Sequence, residues 1–300
     1  MKTNIGAALF RLPKVISEKA APPCRAAWRT SRLALPFRKS PLAITLVAAV
    51  STSLLTQPAA TLAAAAPTAP VATNSAPVFP PPNPLSKATL DKVRKMTPIF
   101  DGKTLNGWKT SVKGTNAAEI TMAWTVKDGA MASLGEGRGV LHTEREYGNY
   151  RLLFTMRHVG GPPSDHRACV LIYGTAPTEG QPTLDAIGGI QFQPPNGGSW
   201  DYRPGKNNSG KGLFTRWAHP KFDEHEWFQV ELLVNTNGTA RMAVAQPVGT
   251  KAYEVLLFKD PTAGKSGPIA WQMHNKGLFD EYKDVRIAEN PKEDKLITVE

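Results

Sequence analysis

The chain has 300 residues, with 36 Lys and Arg against 25 Asp and Glu, six His and two Cys. Residues 1–66 hold nine of the basic residues and one acidic residue, Glu18, so this segment supplies +8 of the net +11 and the remainder only +3. The excess of positive charge thus belongs to a leader rather than to a basic binding surface, which argues against nucleic acid as a partner.

Within that leader, Arg38 and Lys39 precede an apolar run from Leu42 to Leu55, followed by small residues as far as Ala66. Charge, apolar run and small residues in this order form a secretory signal. Cleavage is expected around Ala64 to Ala66, which would place the protein in the periplasm or outside the cell. The run falls short of the ~20 apolar residues a spanning helix needs, so no stable membrane span is expected once the signal is removed. Cys24 lies in the leader and leaves Cys169 alone, inside the apolar run 168–173; it reads as a core residue, and no intrachain disulfide is expected. No oligomeric state follows from the sequence.

Residues 67–96 read as a linker, because Pro67 to Pro84 holds seven prolines among Ala, Thr, Val and Asn. Ser86 to Met96 predicts one or two helical turns ending before Pro98. The folded domain is expected over 97–290, with 291–300 as a tail. It opens with Ile99 and Phe100, two turn signals (Asp101-Gly102 and Asn106-Gly107), and Leu105 and Trp108 spaced to fall back onto an apolar surface. Trp124 to Lys127 and Ala130 to Ser133 flank Asp128-Gly129, the pattern of a tight hairpin. Tyr150 to Arg157 alternates, with Leu152, Phe154 and Met156 on one face and Leu153, Thr155 and Arg157 on the other. Cys169 to Tyr173 is apolar on both faces, as in a central strand. In 189–193, Ile190 and Phe192 point to the core and Gln191 and Gln193 lie side by side opposite.

Residues 194–220, rich in Gly, Asn and Lys, read as a long lid or binding loop carrying Trp200, Tyr202 and Trp217. A second hairpin joins Trp227–Val234 to Thr239–Ala245 across Asn237-Gly238. The strands Gly267–His274 and Tyr282–Ile287 close the domain, with Trp271 and Met273 facing the core and Gln272 and His274 away from it. About ten strands separated by turns make an all-β domain of two packed antiparallel sheets.

Several of these stretches together resemble a known family. Phe100-Asp-Gly-Lys-Thr-Leu-Asn-Gly-Trp108, Trp124-Thr-Val-Lys-Asp-Gly-Ala130, Leu141-His-Thr-Glu-Arg-Glu-Tyr-Gly-Asn-Tyr-Arg-Leu152, Gly267-Pro-Ile-Ala-Trp-Gln-Met-His274 and Lys283-Asp-Val-Arg-Ile287 are similar, in order, to the signatures of the 3-keto-disaccharide hydrolase domain family. The resemblance implies a concanavalin-like jelly-roll β-sandwich acting on carbohydrate. The chemistry it implies is hydrolysis, or elimination and hydration, of a glycoside bearing a ketone at C3. Three departures stand out: Gln191 where the family commonly has a glutamate, Thr155 where it often has an acid, and Ser164-Asp-His-Arg167 in place of an Asn-Ser-Gly run.

Such a reaction needs a base and a means of stabilising an enolate, either hydrogen-bond donors or a divalent metal. His274, Arg157 and Gln191 are the candidate catalytic residues, expected on one face. Gln193, Gln272, Asp165, His166, Trp200 and Tyr202 are the candidate substrate-binding residues. No local His or Cys spacing marks a metal site, so the cofactor stays open between none and a divalent metal. The alternative reading is a non-catalytic carbohydrate-binding β-sandwich, for which paired glutamines and exposed aromatics serve equally well.

Overall fold

The computed structural model describes residues 77–113, 123–161, 169–178, 185–210 and 212–299. Within them the chain forms α1 (Lys87–Arg94), β1 (Thr97–Pro98), β2 (Trp108–Val112), β3 (Trp124–Lys127), β4 (Ala130–Ser133), β5 (Gly139–Thr143), β6 (Tyr150–Gly160) and β7 (Cys169–Ile172). A 3₁₀ turn (Asp185–Gly188) leads to β8 (Ile190–Gln193), β9 (Gly198–Asp201), β10 (Phe214–Arg216), β11 (Phe228–Asn235), β12 (Thr239–Ala245), β13 (Tyr253–Lys259), β14 (Ala270–Met273) and β15 (Phe279–Glu289).

The strands make two antiparallel sheets. One has nine strands, in the order β10-β13-β12-β11-β6-β15-β4-β3 with β1 added against β15; the other has six, in the order β2-β5-β14-β7-β8-β9. Alternation in the sequence dictates the packing, since the apolar members of each strand meet between the sheets. Leu152, Phe154 and Met156 from β6 join Ile190 and Phe192 from β8 and Trp271 and Met273 from β14 in one buried cluster. At its centre the Trp271 ring stacks on Tyr282 at 4.6 Å and on Trp108 at 5.6 Å. Cys169 is free and buried, as its apolar setting requires, and burial pushes its thiol well up from the usual range.

The opening turn folds as its residues dictate. Gly102 and Gly107 take positive φ values of 75° and 83°, the Asp101 carboxylate accepts from the amides of Lys103 and Thr104, and the Trp108 indole donates to Ile99 O at 2.8 Å. Asp128 and Gly129 likewise adopt φ values of 50° and 78°, closing the β3–β4 hairpin.

Three features differ from the sequence reading. Residues 194–220 are not a structureless loop, because they carry β9 and β10, one strand on each sheet. The described part of the linker is packed rather than free: Phe79 meets the Tyr253 ring edge-on, Tyr253 OH donates to Pro80 O, and Ser86 caps α1 through the Thr89 amide. The tail is pinned as well. The amides of Ile297 and Thr298 donate to the Glu231 carboxylate, and Arg151 donates to Glu231 and to the carbonyls of Glu293 and Lys295.

Candidate functional site

The side of the six-stranded sheet that faces away from the core carries a polar row. Because Ile190 and Phe192 of β8 go inward, Gln191 and Gln193 go outward, and the same parity sends Gln272 of β14 outward beside the inward Trp271 and Met273. The three amides form a relay: Gln193 Nε2 donates to Gln191 Oε1 at 3.2 Å, and Gln191 Nε2 donates to Gln272 Oε1 at 2.5 Å. Gln191 and Gln272 are only 0% and 1% exposed, so the relay is held rigidly below the surface. Its last donor, Gln272 Nε2, is buried and has no hydrogen-bond partner among the described residues. An unmade hydrogen bond of this kind costs ~1–3 kcal/mol, which makes this amide a candidate donor to a bound group.

Cross-strand register extends the face. Gln191 lies opposite Trp200 on one side and Leu171 on the other, and Leu171 lies opposite Ala270, which lies opposite His142. Trp200 and Tyr202 stand 6.1 Å apart, half-buried, at the β9 end of this row, and Trp200 Nε1 donates to Asn207 Oδ1. Tyr202 also packs against a small buried apolar cluster of Val140, Leu171, Ala186, Ile187 and Ala270. Gly198 has a specific task here. A Cβ at that position would collide with the Gln193 amide, so glycine lets the side chain lie across β9.

The predicted residues therefore separate. Gln191, Gln193, Gln272, Trp200 and Tyr202 come together on one face. His274 follows β14 immediately and is half-buried. Arg157 does not join them, contrary to the same-face expectation. It lies on the outer side of the nine-stranded sheet, where it pairs with Glu281 at 2.7 Å and sits 4.6 Å over the Trp227 ring, which Lys283 also approaches at 4.0 Å. Asp165 and His166 lie outside the described residues. Among the described residues, no group of three or more His, Cys, Asp or Glu side chains is placed to hold a metal.

Two histidines that the sequence reading passed over are placed for chemistry or support. His142 is on the glutamine face, 4% exposed, with Nδ1 2.9 Å from Thr143 O, and burial lowers its basicity. His158 lies on the core side of β6, with Nδ1 2.7 Å from the buried Asp280 carboxylate. Extending the Leu152, Phe154, Met156 alternation by one step would have found His158. Its partner 122 residues away leaves no local signal.

Comparison with known proteins finds similar solved structures and one matching family. Among solved structures, a candidate glycosyl hydrolase from Parabacteroides distasonis is 16% identical, covering 70% of this chain and all of that one, with a TM-score of 0.46. The carbohydrate-binding module CBM66 from Bacillus subtilis is 11% identical, covering 65% and 98%, with a TM-score of 0.41. The lectin I-B4 from Griffonia simplicifolia is 10% identical, covering 62% and 94%, with a TM-score of 0.40. No curated protein gives a significant match. The family model for the 3-keto-alpha-glucoside-1,2-lyase-like domain matches residues 95–288, well over half of the chain, and the protein belongs to that family.

Proposed function

We propose that this is an exported carbohydrate-active protein that cleaves 3-keto-glycosides on the glutamine face. The observation that carries the reading is the amide relay ending at the buried Gln272 Nε2, which has no partner among the described residues, on the sheet face whose β9 end carries an aromatic pair suited to a sugar ring. In the reaction, the C3 ketone acidifies the proton at C2. His274 takes that proton, the electron pair moves through the enolate, and the group at C1 leaves as its alcohol, taking up the proton His274 holds; water then adds its hydroxyl to C1 and a proton to C2 of the resulting enone. Gln272 Nε2 donates to the ketone oxygen and strengthens that bond as negative charge develops, the role of a fixed oxyanion donor. Gln191 and Gln193 hold the Gln272 amide in the orientation this needs. Export follows from the leader read in the sequence.

A second reading, a non-catalytic sugar-binding domain, is favoured by one feature: the relay is built from three amides and contains no carboxylate. Incubating the full chain with a 3-keto-glucoside, with and without a chelator, and following release of the C1 group separates the two. Turnover that His274→Gln abolishes without lowering the melting temperature supports the enzyme. Saturable binding with no turnover supports the binding domain.

A further inference from the structure

Apart from the glutamine face, a cleft of about 560 Å³ opens between the β8–β9 turn at Asn196 and the segment Lys221–His225 that precedes β11. Its size lies within the ~300–1,000 Å³ usual for small-ligand sites. The walls are preorganised. Gln246 holds the segment by accepting from the Asp223 amide and donating to Asp223 O, each at 2.8 Å. The amide of His158 donates to Glu224 O at 2.7 Å. His158 itself is fixed in β6 by the buried bond to Asp280.

That framework sets the chemistry of His225. Its Nδ1 lies 2.9 Å from His158 O, and a carbonyl oxygen can only accept, so Nδ1 carries the proton. The basic nitrogen is therefore Nε2, on a side chain that is 61% exposed, with Glu224 Oε1 4.0 Å away. Asp223 and Glu224 add carboxylate acceptors, Asn196 and Lys221 add donors, and Phe222 provides an apolar wall. Acceptors outweigh fixed positive charge, which disfavours acids and phosphates and suits a ligand that presents several hydroxyl donors.

We propose that this cleft is a second carbohydrate site, in which Nε2 of His225 accepts a hydrogen bond from a hydroxyl of a neutral sugar. It goes beyond the reaction proposed for the glutamine face and does not require that face to bind anything. The test is an NMR titration of the full chain with methyl α-glucoside, reading the His225 ring and the Trp200 indole separately. The His225 signals should shift and saturate, and His225→Ala should weaken binding at this cleft, read on the Phe222 ring that also lines it, at least tenfold while leaving any Trp200 response unchanged. Gln193→Ala should leave the His225 response unchanged. Because His225 is exposed, the variant is expected to keep the parent melting temperature, and Lys221→Ala provides a second variant with the same expected direction. A response confined to Trp200, no response at all, or a His225 shift that Gln193→Ala abolishes would overturn the proposal. Loss of only the Trp200 response would count against the glutamine face and not against this cleft.

Discussion

Asp280 and Glu231 are both carboxylates buried in the nine-stranded sheet, and each survives there because donors meet it. Asp280 faces His158 inside the sandwich, with side chains 1% and 3% exposed. Asp280→Ala leaves the imidazole without its acceptor, and losing a buried hydrogen bond to a carboxylate costs about 1.5–3 kcal/mol. Urea unfolding should show that loss, whereas Glu289→Ala, which removes an exposed partner of Arg145, should cost below ~1 kcal/mol. Equal small losses would mean that water reaches His158 in solution. Asp260 gives a pH signature instead. The Arg203 guanidinium beside it holds its carboxyl at about 2, below the ordinary value of 3.8. A folded value lowered in this way gives stability that is present above pH ~4 and lost as pH falls toward 2. Wild type should therefore melt above Asp260→Asn at pH 6, and the gap should narrow below pH ~4 and close only as pH falls through about 2; a gap independent of pH would refute the assignment.

The strand carries a different kind of information from the residue. Alternation in 150–157, 189–193 and 267–274 correctly separates core side chains from outward ones, because one face of each strand is buried and a slip of one residue would invert it. Phe192 is fully buried at that interface, so Phe192→Ala should cost about 3–5 kcal/mol in denaturant unfolding. A loss below ~1 kcal/mol would mean that the site collapses around the missing ring. Less is legible where strands are short. β9 and β10 span four and three residues inside a Gly- and Asn-rich stretch; β9 pairs locally with β8, but β10 pairs with β13, distant in sequence, and leaves no local signal. The tail is similar: nothing in 291–300 announces that its amides will neutralise Glu231. Deleting 295–300 removes the Ile297 and Thr298 donors and uncovers Leu233, so stability should fall by on the order of 3 kcal/mol. Unchanged melting after this truncation would show that water replaces the strap at no cost.

At the scale of the whole molecule, parity along a strand does not say which sheet the strand joins. Arg157 and Gln191 both point away from the core, yet β6 and β8 belong to different sheets, so the two side chains emerge on opposite sides of the sandwich. The glutamine row was legible from alternation, at Gln191, Gln193 and Gln272, and the rest was illegible where sheet membership decided. Charge is likewise unevenly distributed, and this leads to a prediction about the mature protein. Removing residues 1–66 takes away nine basic residues and one acidic residue, which lowers the net charge from +11 to +3. The core cluster and both sheets lie entirely between residues 97 and 289. A chain starting at residue 67 should therefore melt at the temperature of the full chain, elute earlier from a cation exchanger, and bind DNA no more than a neutral control at 0.15 M salt. Mass spectrometry of the protein recovered from the periplasm or medium should give an N-terminus near residue 67. An intact Met1 terminus in the cytoplasm, or a melting temperature that drops on removing the leader, would mean that residues 1–66 serve the folded protein itself.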